Sequence, residues 1–463
     1  MLATAATPID LNLGSVVASL TPGSLVQAAP VNIQVGSVTQ VVTGSTLVTP
    51  AELLAVYQMV SSGNQSIILG AAGNAVGGTL NLGPNFANQV SSLVIPEGVT
   101  AIRDFGTASS LNLAGTLTNF GNFYAVSSSS AVSTAAISAA NIYNQQGALL
   151  TSVLPANGVP GYSGLLTNLN LTVAAVNNIV NAGTISSAGS LSAIAGGSIL
   201  NSLPAGVAGV QPVMSAMQNL TLMSNIGSIA NSGFITSSIG SINIASAAAQ
   251  NIAFNNINGT LQALNGVVNF RDASFAALAN LDIDGGEILA REINLYTGAG
   301  NLTANLTEVV GTLSTFGGYA HVGATTDILA LGNIAITGDP TYFNSAGSIA
   351  ITGNIDVNER LAVIASGDIT STGGVTLIQA RGANGQGYEM NFIAGANVSG
   401  SGSSSSIATT PPVLSNASGA VTVTGASSTG GDIDFTASPG LKIDASSTCA
   451  GCSGANVTMA AFA

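Results

Sequence analysis

Alternating acids occur in two short phrases of the sequence. LDIDGGE holds Asp282 and Asp284, and GGDIDF repeats the pattern with Asp432 and Asp434. Residues two apart in a β-strand point to the same face, about 7 Å from each other, so each phrase predicts a pair of carboxylates on one outward face. Paired carboxylates serve as acid and base in polysaccharide-cleaving enzymes. These two pairs are therefore the candidates for such chemistry.

The first phrase also has the residue types of a calcium site. The turn Gly285-Gly286 would bring Glu287 alongside Asp282 and Asp284, and carboxylate oxygens suit Ca²⁺. The spacing matches neither the twelve-residue EF-hand loop nor the nonapeptide calcium repeat. A solvated acidic face is the interpretation that the sequence favours. We therefore expect no catalytic, cofactor or metal site.

The histidine and the cysteines offer little further chemistry. His321 is the only histidine, and Asp327 follows it closely, but no nucleophile elbow of the form G-x-S-x-G accompanies them. We expect a structural histidine, either exposed or hydrogen-bonded. Cys449 and Cys452 form C-A-G-C, with no helical pattern after them and no second pair to complete a zinc site. They predict a local disulfide in a surface turn, or two free thiols.

Composition excludes several classes of function. Hydrophobic residues make up 46% of the 463 residues and charged residues only 5%, against about 25% charged in ordinary domains. The net charge is −13, and Lys442 is the only lysine, which argues against nucleic acid and against anionic membrane surfaces as partners. Polar residues interrupt every apolar run, so no membrane insertion is expected. This profile suits an exported, extracellular protein.

Short strand-like phrases follow one another along the chain, and one of them is repeated. IVNAGTISS, from Ile179, returns as IANSGFITS from Ile229, with Asn181 and Asn231 in equivalent places. A strand of four to six residues with one apolar face needs a neighbour to bury that face. Stacking coil on coil meets this need, so we predict a parallel β-helix with coils of about two dozen residues. The repeated Asn predicts a ladder of side-chain amides.

One segment breaks this pattern. Thr49 is a good N-cap, Pro50 suits the first helical position and Glu52 completes a capping box, so a short α-helix is predicted at about 50–61. The predicted organisation is listed here: an N-terminal cap with early strands at 1–92, a β-solenoid at 93–398, a Ser/Gly/Pro-rich loop at 399–412 and further solenoid strands at 413–463. The final phrase NVTMAAFA reads as an apolar strand without a cap. It predicts either truncation of a longer array or pairing with another chain.

The phrases I-x-N-x-G-x-I and G-[NSD]-I-x-I-[TD] resemble those of filamentous-haemagglutinin-like bacterial surface proteins and of large β-strand-repeat proteins. The resemblance covers roughly Leu111 to the end. It implies a right-handed parallel β-helix at the bacterial cell surface. The Asn-Pro-Asn-Gly phrase of two-partner secretion domains is absent, and Gly83-Pro84-Asn85-Phe86 is the nearest text. Two-partner export is therefore not implied.

The sequence as a whole predicts a non-enzymatic, all-β extracellular protein. We expect a stiff structural or adhesive stalk that binds through extended surfaces, its partners being host or neighbouring cell surfaces and glycans, or other copies of itself. One alternative is a self-assembling filament subunit joined end to end by β-strand addition. An alternative of another class is a β-helix polysaccharide hydrolase or lyase.

Overall fold

The computed structural model divides into two compact units, Met1–Leu220 and Thr221–Ala463. It describes the strand backbones within 9–82 and then residues 92–95, 97–106, 110–129, 133–159, 161–162, 169–247, 250–272, 279–399 and 421–462. All regular elements in these residues are β-strands. The helix predicted at 50–61 and nearly all of the loop predicted at 399–412 lie outside the described residues.

The strands of the first unit are, in chain order, β1 (Ile9–Asn12), β2 (Leu25–Val26), β3 (Val31–Val35), β4 (Val38–Val42), β5 (Thr46–Leu47), β6 (Gln65–Leu69), β7 (Ala75–Leu82), β8 (Leu93–Ile95), β9 (Val99–Asp104), β10 (Ser110–Asn112), β11 (Thr116–Asn119), β12 (Asn122–Val126), β13 (Ser133–Ala139), β14 (Asn141–Asn144), β15 (Leu149–Thr151), β16 (Leu169–Ala175), β17 (Ile179–Asn181), β18 (Thr184–Ser187), β19 (Leu191–Ala195), β20 (Ile199–Asn201) and β21 (Val213–Ala216). Strand β22 (Leu220–Ser224) spans the division between the units.

The strands of the second unit are β23 (Ser228–Asn231), β24 (Phe234–Ser237), β25 (Ile242–Ser246), β26 (Ile252–Asn255), β27 (Thr260–Asp272), β28 (Leu281–Asp284), β29 (Glu287–Tyr296), β30 (Asn301–Leu306), β31 (Glu308–Gly317), β32 (Tyr319–Ala324), β33 (Ile328–Ile336), β34 (Thr341–Asn344), β35 (Ser348–Ile351), β36 (Ile355–Val357), β37 (Leu361–Ala365), β38 (Ile369–Ser371), β39 (Leu377–Ala380), β40 (Met390–Ala394), β41 (Ala396–Ser399), β42 (Thr422–Ala426), β43 (Ile433–Asp434), β44 (Lys442–Asp444) and β45 (Val457–Ala461).

In the first unit the strands from β8 onward recur in threes, and each group of three makes one coil. The first strands of the coils, β8, β11, β14, β17 and β20, pair in parallel with one another. The second strands (β9, β12, β15, β18 and β21) and the third strands (β10, β13, β16 and β19) do the same. Before this stack, β3–β4 and β6–β7 pair antiparallel.

The second unit has the same design over more coils. Its first strands are β23, β26, β28, β30, β32, β34, β37, β40 and β45, all parallel. In β27, β29, β31 and β33 the second and third strands are fused into one long strand, and the register shifts within it. Such shifts bend a strand locally. The predicted parallel β-solenoid is confirmed; its handedness stays a prediction.

Alternation of side chains builds the core of each unit. In β16, Leu169, Leu171 and Val173 are buried, while Asn170 and Thr172 between them point outward. The next coil repeats the pattern, so inward residues stack on inward residues. Burial of apolar area contributes about 25 cal/mol per Å², and stacking lets strands that are individually too short share one continuous core.

A buried ladder of asparagine amides runs along the ends of the first strands. Asn119 Nδ2 donates to Asn144 Oδ1 at 2.8 Å, Asn144 to Asn181 at 2.8 Å and Asn181 to Asn201 at 2.7 Å. The amide of Asn181 also exchanges hydrogen bonds with the backbone of Gly183. A side chain on Gly183 would collide with the backbone of the preceding coil. The Asn and the Gly that recur in the repeated phrase are therefore both required by the structure of one coil. The predicted ladder is confirmed.

An antiparallel hairpin formed by β41 and β42 covers part of the outward face of the first strands in the second unit. The outward residues Phe343 and Ile364 are buried in one cluster with Val398 and Val423 of this hairpin. The covering begins at β34 and leaves the outward face of β28 and β30 open. This difference along the stack shapes the candidate site.

Candidate functional site

The two acids of LDIDGGE stand where the sequence placed them. Leu281 and Ile283 are buried in β28, and Asp282 and Asp284 are exposed on its outward face. Burial of the carboxyl, and then the negative charge of Asp284, raise the pKa of Asp282 above its usual range. The two carboxylates are therefore close enough for their negative charges to repel each other.

Glu287 does not complete a calcium site with them. It begins β29, and its Oε2 accepts a hydrogen bond from Thr260 Oγ1 at 2.9 Å, in the preceding coil. In the part of the chain that the structure describes, no three His, Cys, Asp or Glu side chains gather closely enough to hold a metal ion. The acidic phrase thus forms an outward face, with Glu287 bonded to the preceding coil.

The second acidic pair lies elsewhere in the same unit. Asp432 and Asp434 flank Ile433 of β43, which pairs with β38 in the stack of second strands. The backbone amide of Asp432 donates to the carboxylate of Asp368 at 2.8 Å, so this pair lies beside Asp368 in the stack of second strands. Since β28 belongs to the first strands, the structure does not bring the two predicted pairs together.

His321 is buried and, among the described residues, has no hydrogen-bond partner. It occupies an outward position of β32, between Thr303 and Thr341 of the neighbouring coils, yet only 2% of it is exposed. Its ring lies 5.3 Å from that of Phe343, and no group in the described part of the chain hydrogen-bonds to either ring nitrogen. Burial lowers the pKa of His321. Asp327 does not orient this imidazole, so the histidine has a packing role.

A pocket of about 220 Å³ opens on the outward face of the first strands, between the exposed acids and the hairpin-covered cluster. Its lining includes Asp284, Asn305, Gly323 and Phe343, which are successive members of one outward row. The hydroxyl residues Thr307, Thr325 and Ser345 form one side. Sequence reasoning missed this pocket, because only the register between coils shows that these residues are neighbours.

The cysteines form the predicted local disulfide, Cys449–Cys452. The turn that carries it docks on the loop between β39 and β40: the amide of Thr448 donates to the carbonyl of Gly385 at 2.7 Å. Nearby, the carboxylate of Asp444 lies 2.6 Å from both Arg381 and Lys442. These contacts clamp the last coils and present no reactive group.

Another cluster that sequence reasoning did not find lies in the first unit. Arg103 is buried, and its guanidinium donates to the carbonyls of Leu82 and Ser110. The adjacent Asp104 accepts a hydrogen bond from the hydroxyl of Tyr162 at 2.8 Å. Burial and this hydrogen bond raise the pKa of Tyr162 to about 12. The cluster ties neighbouring coils together through these hydrogen bonds.

Known proteins give no further guide to this site. No protein-family model, curated protein or solved structure matches the chain. Among the described residues there is also no helix of the length and apolarity required to span a bilayer. The function must therefore be argued from the geometry itself.

Proposed function

We propose that this protein is an extracellular structural and adhesive surface protein, a β-solenoid stalk or fibre segment that binds through extended surfaces. The observation that carries the proposal is an outward row on the first strands of the first unit. Val94, Thr118, Tyr143, Val180 and Leu200 stand in register, one per coil, and each is half-buried. This apolar stripe, as we call the row, bears no charge over five coils.

A stripe of this kind suits contact with a long, flat partner. Desolvation of uncharged side chains costs little free energy, and a rigid array loses little conformational entropy when it binds. The ladder beneath the stripe supplies that rigidity, because Asn144 and Asn181 are fully hydrogen-bonded and buried. Few Lys and Arg residues also leave few cleavage points for trypsin-like proteases. These properties favour a stalk exposed outside the cell.

Binding of the intact chain to whole cells and to immobilised glycans tests the proposal. Tyr143→Arg places a charge in the centre of the apolar stripe, and we expect it to weaken binding about tenfold. Thr172→Arg is the matched control, since Thr172 points outward from the third strands instead. Absence of binding by the unmodified chain, or equal binding by both variants, would contradict an adhesive stripe.

End-to-end assembly is a second candidate, favoured by the side chains of β45. Val457 and Met459 pair with Met390 and Phe392 of β40, which are fully buried core residues. Val457 and Met459 themselves are 39% and 47% exposed. Exposed apolar residues on a strand favour its pairing with another strand. Light scattering over a hundredfold range of concentration tests this: growth that Met459→Lys abolishes and Thr458→Lys preserves supports assembly.

The enzymatic alternative rests on Asp282 and Asp284. One carboxyl with a raised pKa beside another is the arrangement of a general acid and its partner. Asp284 is, however, the single carboxylate in the pocket lining, and no Arg or Lys lines the pocket to hold an acidic sugar. Reducing-end release from neutral and acidic polysaccharides, lost in Asp282→Asn, would favour a hydrolase over the adhesive proposal.

A further inference from the structure

One outward position in the pocket lining has no side chain of its own. Along the row Asp284, Asn305, Gly323, Phe343, every residue but Gly323 projects a side chain. The aromatic ring of Phe343 leans over the glycine so closely that a Cβ there would overlap its Cζ. Phe343 therefore fills the space above Gly323, and the pocket extends from these two residues towards Asp284.

The wall formed by Phe343 is rigid and apolar. Only 3% of this residue is exposed, and it packs with Ile364 and Ile393 beneath the β41–β42 hairpin. The small part of Phe343 that borders the pocket is a fixed apolar contact. It accommodates a C–H group of a ligand rather than a polar one.

The other sides offer mainly hydrogen-bond acceptors. Thr325 Oγ1 donates its proton to the carbonyl of Thr307 at 3.0 Å, and Ser345 Oγ donates to that of Ala324 at 3.2 Å. Both hydroxyl oxygens therefore keep lone pairs for a ligand. The carboxylate of Asp284 is a further acceptor, and the side-chain amide of Asn305 is both donor and acceptor. The pocket fits a ligand that carries several hydroxyl groups.

The charge around the pocket restricts the ligand further. No Lys, Arg or His lines the pocket, while Asp282 and Glu287 lie close in sequence to Asp284. An anionic ligand, such as a uronic acid or a phosphate, would meet uncompensated negative charge. A divalent cation would find one carboxylate where it needs several oxygen ligands. A neutral polyhydroxylated ring satisfies all these conditions.

We propose that this pocket binds one neutral pyranose residue of a glycan, its hydroxyls donating to Asp284, Thr325 and Ser345 and one of its C–H groups contacting the exposed part of Phe343. The inference deepens the adhesive function proposed above and rests on it. The apolar stripe supplies extended contact, whereas the Gly323 pocket supplies selectivity among sugars. The pocket and the stripe lie in different units of the chain.

Saturation-transfer NMR and calorimetry on the full chain, with free neutral hexoses, N-acetylhexosamines, galacturonate and sialic acid as probes, test the proposal. We expect a neutral sugar to bind and the two acidic sugars to fail. Asp284→Asn should weaken that binding by about tenfold, because the hydrogen bonds to a charged acceptor are lost. Asp282→Asn is the matched control: it lies on the same strand and face but outside the lining, and it should change affinity less than about twofold.

A variant that fills the pocket with a larger side chain provides a second test of binding. Gly323→Ala forces Phe343 to move, so any failure of that variant to fold would obscure its effect. Thr325→Phe fills the pocket from its exposed rim instead and should abolish binding while the circular dichroism spectrum is preserved. Tight binding of sialic acid or galacturonate, or a neutral sugar bound equally by Thr325→Phe, overturns the pocket assignment.

The two proposals fail in distinguishable ways. Cell and glycan binding that Tyr143→Arg disrupts, with no response to Asp284→Asn or Thr325→Phe, leaves the adhesive function standing and removes the sugar pocket. Binding of free sugar at the pocket, with no attachment of the chain to any cell or glycan surface, confirms the pocket and removes the adhesive role.

Discussion

The side-chain amide of Asn144 lies 2.8 Å from the amide oxygen of Asn181, although 37 residues separate them in the chain. Both side chains are buried, and the ladder continues because Asn181 donates a hydrogen bond to Asn201. Each member is at once donor and acceptor within the core. Loss of one member therefore leaves polar groups unpaired in two neighbouring coils.

Asn181→Ala tests the ladder directly. We expect the free energy of unfolding to fall by about 3 kcal/mol, because buried amide groups lose their partners. The midpoint of guanidinium unfolding, followed by circular dichroism, gives the change. Asn177→Ala is the control: Asn177 lies exposed in the turn before β17, so its loss should cost less than about 0.5 kcal/mol. Equal shifts in the two variants would show that the ladder adds nothing.

His321 predicts sensitivity to mild acid. Its pKa is lowered in the fold by burial, while the unfolded value is about 6.5. Below that pH the unfolded chain takes up a proton that the folded chain refuses, so stability is complete above about pH 6.5 and declines as the pH falls. His321→Leu should flatten the change in Tm between pH 7.5 and 5. Parallel losses of Tm in the variant and the unmodified chain would assign the acid sensitivity to other groups.

Asp444 predicts a second loss of stability, at lower pH than that of His321. Hydrogen bonds from Lys442, Ser446 and Arg381 hold the pKa of this carboxyl well below its usual range. Its contribution to stability is therefore present above about pH 4, the unfolded value, and is lost as the pH falls below it. Asp444→Asn should lower Tm at pH 6 and lower it by less at pH 2, where the unfolded chain has already taken up the proton. A constant difference at both values would exclude this linkage.

The disulfide predicts a local effect. Cys449 and Cys452 close a short turn, for which the loss of loop entropy is worth about 2 kcal/mol. Reduction should speed hydrogen exchange at the amide of Thr448, which bonds to Gly385, and leave the amides around Asn181 protected. The double variant Cys449→Ser, Cys452→Ser should behave as the reduced chain does. Loss of protection throughout the chain would instead make this turn essential to the whole fold.

Local pattern was enough to predict the architecture. Alternation places Leu281 and Ile283 inside and Asp282 and Asp284 outside whatever the neighbouring coil is, so the sequence predicts it correctly. The repeated Asn and Gly likewise report a turn that is built the same way in each copy. The strand pattern and the buried amide ladder could therefore be predicted residue by residue.

Register between coils could not be predicted in this way. Coil length varies: 25 residues separate Asn119 from Asn144, and 20 separate Asn181 from Asn201. Without knowing those lengths, nothing in the sequence places Gly323 beneath Phe343 or aligns both with Asp284. The candidate pocket is a product of that alignment. For the same reason the burial of His321 was not foreseen.

The direction of the amide ladder has a consequence for how the chain can be built. In Asn119, Asn144 and Asn181 the donor belongs to the earlier coil and the acceptor to the later one. A completed coil therefore offers an N–H group to the residues that emerge next. Because each partner is only one coil away, the entropy lost on loop closure is small. A chain that emerges from its amino end can thus fold one coil at a time, with each finished coil acting as the template for the next.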